Sequence, residues 1–110
     1  MTVPISLKIA YIGGGSREWA RKLMIDLALC PDLTGEVALY DIDMDSAYLN
    51  EQLGNWMQTQ NGVMSKWRYT AVSRLRETLH DADFVIISIQ PGSLELMRDE
   101  IALAEEYGLF

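Results

Sequence analysis

The residues best suited to chemistry are three consecutive glycines and a serine, Gly13–Ser16, which directly follow an apolar run. Glycine has no Cβ, so a turn built from glycines can adopt positive φ and lets a phosphate approach the backbone closely. Ser16 is a favourable N-cap for a following helix, whose exposed amides attract an anion. The pattern predicts a strand, a tight turn and a helix, which open a nucleotide-binding βαβ unit. Glu18 stands where the Gly-x-Gly-x-x-Gly motif has its third glycine.

A second feature is an acid at the end of the next apolar strand. Asp41 ends the run Val37–Asp41, where a Rossmann unit places the carboxylate that accepts the ribose hydroxyls. The alternative for the glycines is a plain strand-to-helix turn. The alternative for Asp41 is an aspartate that ends a strand or caps a helix. Asp43 and Asp45 can each cap the following helix, which leaves Asp41 for the ribose. The predicted cofactor-binding residues are Gly13, Gly14, Gly15, Ser16 and Asp41.

Composition limits the classes of protein that fit this sequence. A chain of 110 residues can bury one modest core, and no apolar run reaches the roughly 20 residues of a membrane span. The N-terminus lacks the pattern of a secretory signal, which predicts a cytoplasmic location. A net charge of −7 argues against nucleic acid or an anionic membrane as partner. The single cysteine, Cys30, excludes an internal disulfide.

The hydrophobic pattern predicts four strands that alternate with four helices, in the order βαβαβαβα. Right-handed crossovers place such strands in the order 3-2-1-4. The predicted fold class is therefore α/β, the N-terminal part of a Rossmann-type doubly wound parallel sheet. The predicted strands are Leu7–Ile12, Glu36–Tyr40, Trp67–Val72 and Asp83–Ile89.

Apolar residues at helical spacing predict which side of each helix is buried. The stripe on the first helix comprises Ala20, Leu23, Met24, Leu27 and Ala28. On the second helix, which begins near Asp45, the predicted side comprises Leu49, Leu53, Trp56, Met57 and Gln60. Gly54 lies inside this helix at a cost of about 1 kcal/mol relative to alanine, which indicates close packing there. The last helix is predicted to bury Leu94, Met97, Ile101 and Ala104.

Three segments together resemble the N-terminal segment of glycoside hydrolase family 4, namely Lys8–Ser16, Leu39–Asp43 and Asp81–Ile86. Within that family, Arg17–Arg21 and Ile87–Ser93 are most similar to the α-galacturonidase-type members. The similarity covers nearly the whole chain, and the family also commonly lacks the third glycine. Residues 1–110 are therefore expected to form the N-terminal portion of a dinucleotide-binding domain, with the rest of that domain and the catalytic domain outside this chain.

The resemblance implies a glycosidase that depends on NAD and on a divalent metal, usually Mn²⁺. Such enzymes cleave a glycoside by oxidation of the sugar's C3 hydroxyl, elimination, addition of water and reduction. The family's metal ligands and base lie beyond position 110, and Cys30 and His80 do not match them. No catalytic or metal-binding residue is therefore assigned in this chain, which by itself is expected to be inactive.

Two further residues are candidates for the substrate site. Gln90 stands where many family members carry an arginine, and its neutral amide lacks the bidentate charge that suits a phosphate. The resemblance therefore implies an α-glycoside substrate without a phosphate, a galacturonide. Glu100 falls near an acidic position of the last helix. The expected partners are the cofactor, the sugar substrate and further copies of the same protein in a homo-oligomer.

Two other functions are compatible with the same residues. A lactate- or malate-type dehydrogenase shares this half of the fold, but its fourth strand is usually followed by a loop with arginines, whereas Gln90–Gly92 follow here. A non-catalytic nucleotide-binding module is the second alternative. In the isolated chain, the strand from Phe84 to Ile89 forms an unpaired apolar edge, which predicts self-association.

Overall fold

Four strands and four helices alternate along the chain in the structure, a computed structural model that describes residues 3–89 and 94–108. None of the helices in these ranges is long and apolar enough to cross a membrane. In chain order the elements are β1 (Ile5–Ile12), α1 (Trp19–Ala28), β2 (Leu33–Tyr40), α2 (Met44–Met57), β3 (Trp67–Ala71), α3 (Leu75–Leu79), β4 (Phe84–Ile87) and α4 (Leu94–Glu106).

The four strands form one parallel sheet in the order β3-β2-β1-β4. The predicted strand order and the Rossmann-type α/β class are therefore confirmed. At the carboxyl edge of the sheet, Ile12 of β1 pairs with Tyr40 of β2 and with Ile87 of β4, so these three strands end side by side. The strand order reverses at β1, and a doubly wound sheet binds its ligands at the carboxyl edge beside such a reversal.

One face of the sheet encloses the core together with α1 and α2. Alternate residues of a strand point to the same face, so β1, β2 and β3 present their large apolar side chains together. The buried cluster from the strands comprises Ile9, Tyr11, Val37, Leu39, Trp67 and Tyr69. Helix α1 adds Ala20, Met24 and Leu27 to the cluster, which confirms the predicted stripe on that helix. Burial also raises the pKa of the Tyr69 phenol.

The buried side of α2 differs from the predicted one. Its buried residues are Ala47, Asn50 and Gly54. Leu49 and Trp56, which were predicted on the core side, are exposed. A Cβ on Gly54 would lie 2.5 Å from the ring of Tyr69, which confirms the close packing expected there. A helix backbone this close to the sheet has room only for small side chains beneath it, so Leu49 and Trp56 lie on the outside. Met57 packs against the core as predicted, although it is only partly buried.

Strand β4 lies at the edge of the sheet that the described residues form. Much of its apolar surface is uncovered, because Phe84, Val85 and Ile87 are all exposed, as is Ile89 just beyond the strand. On α4 the predicted burial of Ile101 is wrong, since its side chain is exposed, whereas Ala104 is partly buried. Leu94 and Met97 fall where side chains are not described. Self-association through β4 stays a prediction.

Candidate nucleotide-binding site

The glycine turn joins β1 to α1 and is held against the end of β2. The amides of Gly13 and Gly14 both donate to the carbonyl oxygen of Tyr40, each at 2.8 Å. The Ser16 amide closes the turn by donating to the Gly13 carbonyl oxygen at 3.0 Å. Gly13 has a φ of +95°, a conformation that residues with a side chain rarely adopt. The shape of the turn is therefore fixed by its own hydrogen bonds and by glycine at its first position.

Each of the three glycines packs against a different element of the fold. A Cβ on the first would overlap the carbonyl oxygen of Ser88, just beyond β4. A Cβ on the second would lie 2.7 Å from the Cβ of Leu39 on β2, and one on the third 2.6 Å from the Cβ of Ser46 on α2. The protein itself thus excludes a side chain at all three positions, whether or not a ligand is bound.

Helix α1 begins later than the sequence predicts. Its first residue is Trp19 and its N-cap is Glu18, so Ser16 is not the N-cap residue. The Ser16 hydroxyl nevertheless accepts a hydrogen bond from the Trp19 amide at 3.1 Å, which satisfies one of the helix's first N–H groups. Within the described residues, the amides of Arg17 and Glu18 have no hydrogen-bond partner. These two amides are therefore the donors that the turn offers to a ligand.

Asp41 lies directly after β2 and contacts the glycine turn. Its Oδ2 accepts a hydrogen bond from the Gly15 amide at 2.9 Å, and its Oδ1 accepts one from the Asp43 amide at 2.9 Å. The structure thus brings together the two features that the sequence singled out. A carboxylate has about four acceptor positions, so the two hydrogen bonds orient Asp41 and leave acceptor capacity on both oxygens.

Asp43 caps helix α2, as the sequence allowed. Its side chain accepts hydrogen bonds from the Ser46 hydroxyl at 2.7 Å and from the Ser46 amide at 3.3 Å. These bonds hold the pKa of the Asp43 carboxyl below its usual range, and the bond from the Ser46 hydroxyl contributes most to this. Because Asp43 supplies the cap, Asp41 has no capping role in α2.

A buried asparagine that the sequence interpretation missed forms hydrogen bonds to the buried side of the glycine turn. Asn50 on α2 is 0% exposed. Its Nδ2 donates to the carbonyl oxygens of Gly14 and Ser16, both at 2.8 Å, and its Oδ1 accepts from Nε of Arg21 at 3.1 Å. The only sequence signal is the spacing of Asn50 from Ala47 and Gly54, which places all three on one side of a helix.

A cleft of about 500 Å³ lies at the carboxyl edge of the sheet, beside the glycine turn and Asp41. The glycine turn forms one side, residues 40–43 and Ser46 form another, and Ser88 and Ile89 close it beyond β4. The charged side chains among its described lining residues are Asp41 and Asp43, and none of those residues is basic. Ile42 is 95% exposed, so it presents an apolar surface at the rim of the cleft.

The other candidates from the sequence do not join this cluster. Gln90 lies outside the described residues. Glu100 is exposed on α4 and is not among the described residues that line the cleft. Within residues 3–89 and 94–108, no group of three or more His, Cys, Asp or Glu side chains is placed to hold a metal ion. The substrate roles of Gln90 and Glu100 stay predictions.

Comparison with known proteins identifies the family. The family model described as family 4 glycosyl hydrolase matches residues 8–110. The chain belongs to glycoside hydrolase family 4. An α-galacturonidase from Thermoanaerobacterium saccharolyticum is 49% identical to this family 4 chain, and one from Bacillus subtilis is 51% identical, each over 94% of the chain. The chain spans 22% of the length of each relative. The predicted resemblance, including the α-galacturonidase-type members, is confirmed.

Solved structures agree with the assignment of this chain to family 4. The crystal structure of lplD from Bacillus subtilis, described as a glucosidase, is 50% identical with a TM-score of 0.75, over 94% of this chain and 23% of that one. A 6-phospho-β-glucosidase from Thermotoga maritima, solved with NAD and glucose-6-phosphate, has a TM-score of 0.71 at 24% identity, over 94% of this chain and 24% of that one. The second likeness supports the Rossmann-type fold alone.

Proposed function

We propose that this chain is the NAD-binding segment of a family 4 glycosidase that cleaves an α-galacturonide by oxidation and elimination. The observation that carries the proposal is the cleft, which this family 4 chain lines with an oriented carboxylate, Asp41, and with the glycine turn that leads into helix α1. A cleft at the carboxyl edge, beside the reversal of strand order, is where doubly wound sheets bind dinucleotides. When bound, NAD⁺ supplies the hydride acceptor for the sugar oxidation.

The chain's own residues fit the adenosine diphosphate part of NAD. Asp41 accepts hydrogen bonds from the ribose hydroxyls with the acceptor positions that the Gly15 and Asp43 amides leave open. The amides of Arg17 and Glu18, at the start of α1, donate to the pyrophosphate, where the helix dipole also favours negative charge. Ile42 offers an apolar surface for the adenine ring. We assign no metal ligand to the described residues.

The charge of the cleft favours NAD over NADP. A 2′-phosphate on the adenosine ribose would lie against the Asp41 carboxylate, with Asp43 nearby. Since none of the described lining residues is basic, the repulsion has no compensating partner there. The same absence of basic side chains means that the pyrophosphate relies on backbone amides.

The proposed substrate is an unphosphorylated galacturonide, in agreement with the relatives' name. The expected result is that a family 4 protein carrying this chain as its N-terminal segment, given NAD⁺ and Mn²⁺, hydrolyses an aryl α-galacturonide at least about tenfold faster than an aryl 6-phospho-α-galactoside. A neutral amide at Gln90 can hydrogen-bond a hydroxyl or carboxylate, but it offers a phosphate dianion no paired charge. Initial rates on the two chromogenic substrates measure the difference.

Two controls accompany this assay. Gln90→Arg is expected to raise the relative rate on the phosphorylated substrate, because a guanidinium pairs with phosphate in a bidentate manner. The 110-residue chain, assayed alone, is expected to release no aryl group from either substrate. Faster turnover of the phosphorylated substrate by the unmodified protein would contradict the proposed substrate, and activity of the chain alone would contradict its assignment as a cofactor-binding segment.

A further inference from the structure

The direction in which the turn's amides point is set by the two carbonyl groups that Asn50 holds. A trans peptide is planar, so the C=O of one residue and the N–H of the next point in opposite directions. The Gly14 carbonyl faces Asn50, and the Gly15 amide accordingly points away from Asn50 and meets the Asp41 carboxylate. By the same geometry, the Ser16 carbonyl faces Asn50 and turns the Arg17 amide away from the buried interior.

The hydrogen-bonding pattern fixes the orientation of the Asn50 side chain. Arg21 Nε is a donor only, so the atom that faces it must be the amide oxygen. The two carbonyl oxygens are acceptors only, so they require the amide nitrogen, which has two N–H groups. A carboxylate or an aliphatic side chain of similar size could not satisfy all three neighbours.

We propose that Asn50 is a positioning residue for the phosphate-binding donors of the cleft, oriented in turn by Arg21. One buried side chain thereby directs the Arg17 amide towards the ligand. The inference rests on the proposed function, because it assumes that a diphosphate binds at this turn. It extends that function by assigning the alignment of a phosphate donor to a residue that does not touch the ligand.

The test compares a ligand that has the diphosphate with one that lacks it, using the 110-residue chain, ADP and adenosine. Asn50→Leu is expected to weaken ADP binding about tenfold, the size of one lost charge-assisted hydrogen bond, and to leave adenosine binding nearly unchanged. NMR titration of ¹⁵N-labelled protein gives both affinities. In the wild type, ADP is expected to shift the Arg17 amide resonance strongly, and in Asn50→Leu only weakly.

Asn55 provides a matched control on the same helix. Its side chain also hydrogen-bonds a backbone segment, donating to the Tyr69 carbonyl and accepting from the Tyr69 amide, both at 2.9 Å. This segment belongs to β3, whereas Asn50 contacts the glycine turn. Asn55→Leu is therefore expected to lower the thermal midpoint and to keep the wild-type ratio of ADP to adenosine affinity. A positioning role moves that ratio, whereas a purely structural role moves the midpoint alone.

Arg21→Met gives a milder variant should Asn50→Leu not fold. It removes the donor that orients the Asn50 amide, and the ratio of ADP to adenosine affinity is expected to fall about threefold. An unchanged ratio in a folded Asn50→Leu, or in Arg21→Met where Asn50→Leu does not fold, would overturn the inference. An equal loss of affinity for ADP and for adenosine would also overturn it. If the wild type binds neither ligand, the proposed function fails instead, which separates the two failures.

Discussion

Replacing Gly13 with alanine is expected to lower the free energy of unfolding by about 3–5 kcal/mol, from a total of roughly 5–15 kcal/mol. The new Cβ would overlap the Ser88 carbonyl oxygen and lie 2.8 Å from the Ser88 carbonyl carbon, so the backbone after β4 would have to move. The φ of +95° adds conformational strain to this overlap. Chemical denaturation followed by circular dichroism measures the loss.

Gly62 is a matched control for the conformational part of this effect. It has a φ of +90°, and nothing lies within 4 Å of the position its Cβ would take. Gly62→Ala is therefore expected to cost only about 1–2 kcal/mol, which is the strain of the backbone conformation alone. Equal losses in the two variants would show that contact with the segment after β4 contributes nothing at Gly13.

Replacing Asp41 with alanine is expected to weaken NAD⁺ binding about a hundredfold. In the proposed complex the carboxylate accepts two ribose hydroxyls, and hydrogen bonds to a charged group contribute about 1.5–3 kcal/mol each. The variant also removes the acceptor of the Gly15 amide, which loosens the turn. Because the repulsion of a 2′-phosphate disappears with the carboxylate, NADP⁺ is expected to bind the variant about as well as NAD⁺ does. Isothermal titration with both cofactors measures these affinities.

Asp45 supplies the control for net charge. It lies in the first turn of α2, is exposed, and is not among the described residues that line the cleft. Asp45→Ala changes the charge of the protein by the same amount and is expected to leave both cofactor affinities within about twofold of wild type. Wild-type NAD⁺ affinity in Asp41→Ala would remove Asp41 from the ribose site.

The fold could be predicted from the sequence because its main signals are local. Apolar runs such as Val37–Tyr40 give the strands, glycines and Pro31 give the breaks, and the handedness of crossovers then fixes the strand order. The juxtaposition of Asp41 with the glycine turn follows from the same rules, since parallel strands end at one edge. The hydrophobic stripe on α1 was equally informative, because that helix buries large apolar side chains.

Helix α2 shows where such reasoning ends. Hydrophobicity pointed to Leu49 and Trp56, yet the helix packs so closely on Tyr69 that Gly54 and the polar Asn50 face inward. The role of Asn50 depends on two carbonyl groups that lie 36 and 34 residues away along the chain, and only the tertiary structure brings them within hydrogen-bonding distance. The sequence predicted exposed amides at the start of α1, but not that they are those of Arg17 and Glu18, because a backbone donor has no residue-type signal.

Titration of the ¹⁵N-labelled 110-residue chain with NAD⁺ and with NADP⁺ tests the central claim most directly. If the cleft is an NAD site, NAD⁺ shifts the amide resonances of residues 13–18 and 41–43 above all others, and NADP⁺ binds at least about tenfold more weakly because of Asp41. Equal or tighter binding of NADP⁺, or NAD⁺ shifts that fall outside these two segments, would contradict the assignment of this cleft to NAD.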